Sequence, residues 1–215
     1  MRTTVARRWP VGLGPAMAGA AIVFVMAAGP FAVRDGRFEG AGSRPALFLA
    51  AWCFAEGWMV CQKRRAAFTR DVSRHPRVPW LTGLLALIIA VAATVELFRR
   101  GGPAGRAFAV AGWGVGGAGV ILRLAAIRAL GDRFRDDLSL GADHPIESRG
   151  LYRRLRHPAE LGFGLAVAGH VILCGGAVGG VLFVIGLVPA IGWRIHAENR
   201  LLREAAAAAP SSGAG

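Results

Sequence analysis

Two stretches of this chain carry residue types that can do chemistry together. The first, HPIESRGLYRRLRHPAELGFG from His144, sets Tyr152, Arg153, Arg156, His157 and Glu160 close together between Gly150 and Gly162. The second, WRIHAENRLLRE from Trp193, adds Arg194, Glu198 and Asn199. A guanidinium such as that of Arg156 pairs with a carboxylate through a planar fork, and an imidazole such as that of His157 donates or accepts at either ring nitrogen. The carboxylate of Glu198 answers an ammonium or hydroxyl groups. Gly150 and Gly162 allow close backbone approach, and Pro158 suits the first position of a helix, where its missing N–H costs little. Plainer roles stand beside these: the arginines as a cytoplasmic anchor, Tyr152 as an interfacial aromatic, and Arg194 with Glu198 as an i, i+4 pair on a solvated helix face.

In order and spacing these residues resemble the signature of the isoprenylcysteine carboxyl methyltransferase family and its phospholipid-methyltransferase relatives. That signature is written as a G-x-Y-R-x-x-R-H-P-x-Y-x-G core, and Gly150, Tyr152, Arg153, Arg156, His157, Pro158 and Gly162 fall in register with it. The family continues with a helical hairpin, an arginine and, four residues on, an acidic pair before a leucine; here these are Arg194, Glu198 with Asn199, and Leu202. His144 falls where some members carry histidine. Two positions depart: Glu160 stands for the core tyrosine and Asn199 for the second acid. The aromatic and glycine motif that often follows the acidic helix is also missing.

The resemblance implies S-adenosylmethionine as cofactor, in a pocket at the cytoplasmic ends of the last helices, open to water on one side and to the bilayer on the other. It implies cofactor contacts from His144, Gly150, Tyr152, Arg156, His157, Pro158, Gly162 and Glu198; Arg156 and Arg194, with Glu160 at the departing position, are the candidate catalytic residues. The acceptor is then a lipophilic small molecule or lipid offering a carboxylate, thiol or amine. Glu160 has two readings: a helix N-terminal acid paired with Arg156, or an acid facing the acceptor that serves as general base. The departures also leave open a non-catalytic membrane scaffold of the same fold.

The elements that must position these residues are apolar. Hydrophobic residues make up 54% of the 215, yet the formal charge is +13, so apolar runs and basic loops must be segregated along the chain. Crossing a hydrocarbon core takes about 20 apolar helical residues, and candidate spans run over 11–33, 45–61, 80–98 and 107–122. A fifth stretch, 161–193, is too long for one span; Gly175 with Gly176, and Gly179 with Gly180, divide it into a hairpin. The expected fold is an all-α polytopic bundle of about six spans with a cytoplasmic C-terminal helix. Residues 1–124 form its N-terminal helices, 125–204 the cofactor-binding core and 205–215 a disordered tail.

Cationic loops resist translocation. Arg2, Arg7, Arg8, Lys63 to Arg77, Arg123 to Arg156 and Arg194 to Arg203 would share one side, which places both termini and the site in the cytoplasm. The basic residues flank apolar spans and form no continuous basic helix or aromatic platform, so nucleic acid is not an expected partner, whereas the membrane is. Cys53, Cys61 and Cys174 read as small apolar packing residues, and the five histidines lack ligand spacing, so no metal site is expected. Gly112, Gly114, Gly116, Gly117 and Gly119 would admit a neighbouring helix closely. Among other ionisable groups, Glu56 is expected to reach towards the cytoplasm near Lys63, and Glu96 to pair locally with Arg99 and Arg100. His170, inside a span, is either a packing residue or a functional one.

Overall fold

The computed structural model describes residues 13–35, 43–63, 77–102, 105–130 and 150–208, and every element among them is helical. In chain order these are α1 (Leu13–Asp35), α2 (Ser43–Lys63), α3 (Arg77–Arg100), α4 (Arg106–Leu130), α5 (Leu151–Arg154), α6 (Pro158–Cys174), α7 (Ala177–Leu182) and α8 (Val188–Ala208), with a π-helical turn, Phe183–Leu187, joining α7 to α8. Leu81–Arg100, Arg106–Leu130 and Ala177–Arg200 are long and apolar enough to cross a membrane. Ala16–Pro30 and Pro158–Cys174 are shorter apolar helices. Large side chains such as Met26, Val110, Ile121 and Ile185 stand exposed on the outside of the bundle, as a surface facing lipid requires.

α4 and α6 form the most extensive interface. They run antiparallel, and a side-chain carbon placed on Gly112 would meet Leu173, on Gly116 would meet Phe48 and Gly169, on Gly119 would meet Ala166, and on Gly162 would meet Arg123. Gly114 and Gly117 face open space, so three of the five glycines expected to admit a neighbour do so. Lipid tails are as apolar as a leucine side chain, and such contacts gain mainly from close van der Waals approach.

The hairpin turns once. Gly175 closes α6 in the left-handed conformation, φ 64°, which glycine adopts without strain. Gly179 and Gly180, expected to form a second break, lie inside helix instead. Gly179 packs on Ala93 of α3, a residue with 0% exposure, so the missing side chain serves helix contact and not a turn. Two residues of α3 hold the turn. Glu96 accepts hydrogen bonds from the N–H groups of Ala177 and Val178, both 2.9 Å. Arg100 donates to the carbonyls of Gly175 (2.7 Å) and Cys174. The acid meets the positive end of one helix and the base the negative end of the other. The expected local pairing of Glu96 with its own helix gives way to this, because the backbone groups at a helix end need partners that the helix cannot supply.

Proline explains the wide turn before α8. Pro189 has no N–H to donate, and its ring would press on the carbonyl of Ile185 in a regular α-helix. The π turn relieves this, with the Val188 N–H reaching the Phe183 carbonyl. The extra residue also resets the helix face. At about 100° per residue, Leu187 would sit roughly 80° away from Gly179, and one inserted residue returns it to about 20°. Both residues are buried.

Contacts fix the alternation of the helices. Ala16 of α1 touches Gly57 of α2, Glu56 of α2 meets Arg123 of α4, and Thr82 of α3 meets Arg194 of α8. One end of the bundle therefore gathers the start of α1, the end of α2, the start of α3, the end of α4, the start of α6 and the middle of α8.

Candidate active site

The start of α6 is built for a polar cluster at that end. Pro158 occupies its first turn, where its missing N–H costs little, and His157 precedes it with φ −130° and ψ 61°, outside the helical region. Glu160 then lies in the first turn, buried, where the helix dipole favours a carboxylate. Its oxygen is 3.3 Å from Nε of Arg194, whose side chain is equally buried. Arg194 Nη1 donates to Thr82 Oγ1 at 3.4 Å. The expected partner, Arg156, is exposed. Arg156 lies on the non-helical link before α6, so its side chain is not carried to the face that Glu160 presents to α8.

One helical turn beyond Arg194, Glu198 reaches His157, with 3.5 Å between carboxylate and Nδ1. That contact raises the imidazole pKa above its ordinary 6.5. The hydrogen bond to Glu198 is the largest cause, offset in part by burial. Tyr152, on α5, places its hydroxyl 3.4 Å from the Ala126 carbonyl of α4. Burial, then the charges of Glu198 and Glu160, push its pKa up to about 12, while Arg123 opposes them. The phenol therefore remains a neutral donor. Gly150, before α5, has φ 59° and ψ −125° with open space beside it. Glycine is required there by the backbone conformation, not by close approach. An open groove borders Gly150, Leu151, Arg153, Arg154 and Leu155.

Beside this cluster lies a second pair, a buried arginine on a partly exposed glutamate, that sequence reasoning did not find. Arg123 forks onto Glu56, through Nε to one oxygen and Nη2 to the other at 3.2 Å, and donates from Nη1 to the Ala159 carbonyl at 3.2 Å. Its guanidinium lies 5.0 Å from the centre of the Phe163 ring. Trp52 donates its indole N–H to Glu56 at 3.2 Å. The expected reach of Glu56 towards Lys63 is replaced by this pairing, because a carboxylate facing the bundle interior needs a buried cation. A lone acid inside an apolar span was the available signal; its partner, far along the chain, had none.

The structure thus brings Tyr152, His157, Pro158, Glu160, Arg194 and Glu198 to one end of the bundle. Gly162 instead lies in the α4 seam, and His144 is outside the described residues. The stretch that assembles the cluster runs from the glycine seam of α4 to the acidic turn of α8. The family model for the isoprenylcysteine carboxyl methyltransferase (ICMT) family matches residues 116–204. The ICMT match starts at Gly116, where α4 meets α6, and ends beyond Glu198, so it covers every described member of the cluster except Thr82. The family that the motif resembles is the one whose model matches this stretch, which is somewhat under half of the chain. No curated protein and no solved structure matches the chain. Among the described residues no group of three potential metal ligands occurs.

Proposed function

We propose that this protein transfers a methyl group from S-adenosylmethionine to a lipophilic acceptor at the cytoplasmic face of a membrane. The observation that carries the reading is the convergence of Tyr152, His157, Glu160, Arg194 and Glu198 at one end of the bundle, within the ICMT-matched stretch. In this reading residues 125–204 form the core and residues 1–124 its transmembrane support, with α4 as the shared wall. All six long helical segments cross the bilayer.

The donor set suits a cofactor bearing a carboxylate, an ammonium and a sulfonium. Glu198 is half-exposed and presents an acid beside His157, where an ammonium or ribose hydroxyls can be met. Arg153, Arg154 and Arg156 are exposed near it and suit a carboxylate. Bound there, the cofactor supplies an activated methyl group on a good leaving group. The protein's part is alignment, which can be worth about 7–11 kcal/mol, together with exclusion of water by the apolar helices.

The non-catalytic scaffold draws on one observation: both buried arginines of this end are held by the protein's own carboxylates. Calorimetry on the purified protein in detergent separates the two. The enzyme reading expects saturable binding of S-adenosylhomocysteine, weakened about tenfold or more in Glu198→Ala through loss of a charge-assisted contact. No saturable binding to the folded wild-type protein would leave the scaffold.

A further inference from the structure

The family's printed name describes methylation of a carboxyl group, and a carboxylate entering an apolar site needs a cation to offset its charge. Among the described residues two arginines are buried, Arg123 and Arg194. Each is already met by a carboxylate of this chain: Arg123 by Glu56 through a two-point fork, and Arg194 by Glu160 at 3.3 Å. The other described arginines at this end, Arg128, Arg153, Arg154, Arg156, Arg200 and Arg203, are exposed to water, where pairing with a charge is weak. Arg100 lies at the opposite end, on the hairpin turn.

From this pairing we propose that Glu160 occupies the carboxylate position on Arg194, and that the acceptor is a lipophilic amine and not a carboxylate. This rests on the methyltransferase reading. The acceptor's ammonium form first gives a proton to water, and the uncharged amine then reacts through its nitrogen lone pair. A nitrogen–carbon bond forms to the methyl group as the sulfur–carbon bond breaks, the bonding electrons stay on sulfur, and the positive charge passes from sulfur to nitrogen. The methylated ammonium then gives its proton to water, so no buried base is consumed. The Glu160 carboxylate stands in the same end of the bundle and favours charge developing on nitrogen. A carboxylate acceptor would instead set a second anion beside Glu160 for a single guanidinium.

The test compares dodecylamine with dodecanoate, which share a chain and differ in charge. Purified protein in lipid nanodiscs is assayed for transfer of label from methyl-labelled S-adenosylmethionine and for saturable thermal stabilisation by each compound in the presence of S-adenosylhomocysteine. The wild type is expected to label and be stabilised by the amine. Glu160→Gln, which keeps shape but frees the Arg194 charge, is expected to move the amine-to-carboxylate preference by about tenfold or more towards dodecanoate in both readouts. Glu160→Tyr serves as a second variant should the Gln form fold poorly. Dodecanoate preferred by the wild type, or a preference unmoved in folded Glu160 variants, overturns the proposal while the methyltransferase reading stands. Saturable cofactor binding with neither compound labelled nor bound also overturns it. Absence of cofactor binding removes the methyltransferase reading itself and the proposal with it.

Discussion

His157 and Glu198 are held 3.5 Å apart at the rim of the cluster, and their contact depends on the imidazole proton. The folded-state pKa of His157 lies above 6.5, its ordinary value, chiefly through Glu198. A group raised in this way contributes stability that is fully present below the unfolded value and is lost as pH rises through the folded one. Thermal unfolding of the wild type between about pH 5.5 and pH 9 is therefore expected to show added stability on the acid side that fades towards the alkaline side. His157→Gln should flatten that difference. A wild-type profile identical to that of the Gln variant would show that the pair contributes nothing to folding. Tyr152, pushed up to about 12, stays protonated throughout that window and does not confuse the result.

At the scale of elements, the α4–α6 seam decides how close the motif comes to the rest of the bundle. A side-chain carbon on Gly169 would collide with the Gly116 backbone, whereas one on Gly114 would meet nothing within 4 Å. Gly169→Ala is expected to destabilise the protein by about 1–3 kcal/mol or more through overpacking. Gly114→Ala should be neutral or stabilising by up to about 1 kcal/mol, because it only removes backbone freedom. Unfolding of the two variants in detergent, followed by circular dichroism, checks the contrast; equal stabilities would mean that the helices do not meet there. The seam also carries function in the proposed reading. Moving α6 away from α4 would separate Ala159 from Arg123 and tilt Glu160 relative to Arg194.

Across the whole molecule, the alternation of helices puts the start of α1 and the middle of α8 at the same end as the motif. The positive-inside rule, applied to the basic residues that flank the apolar segments in the sequence, predicts that this end is cytoplasmic. Reporter fusions at both termini are expected to report the cytoplasmic side; activity of a C-terminal reporter only on the outer side would overturn the orientation. The far end is closed by Glu96 and Arg100 across the hairpin turn. With the π turn before Pro189, that clamp sets the rotation of α8, and hence which face of it Arg194 and Glu198 occupy.

The sequence by itself determined the helical class, the apolar segments and the order of the motif residues, because each is a local property. Hydropathy is written in consecutive residues, and Pro158 marks a helix start through its own missing N–H. It also located the turn at Gly175 and the small-residue character of α4. What it did not determine was who faces whom. Glu160 pairs with Arg194 and not Arg156, Glu56 with Arg123, and Glu96 with the N-terminus of α7. Gly179 reads in sequence as a break, yet it is a contact surface for Ala93. A glycine needed for a turn and one needed for close packing are the same residue type. A charged side chain inside an apolar span must find a partner, but the low dielectric that demands the partner says nothing of where along the chain it comes from. Only the packing of the helices, set by the glycine seam, the hairpin clamp and the π turn, decides that.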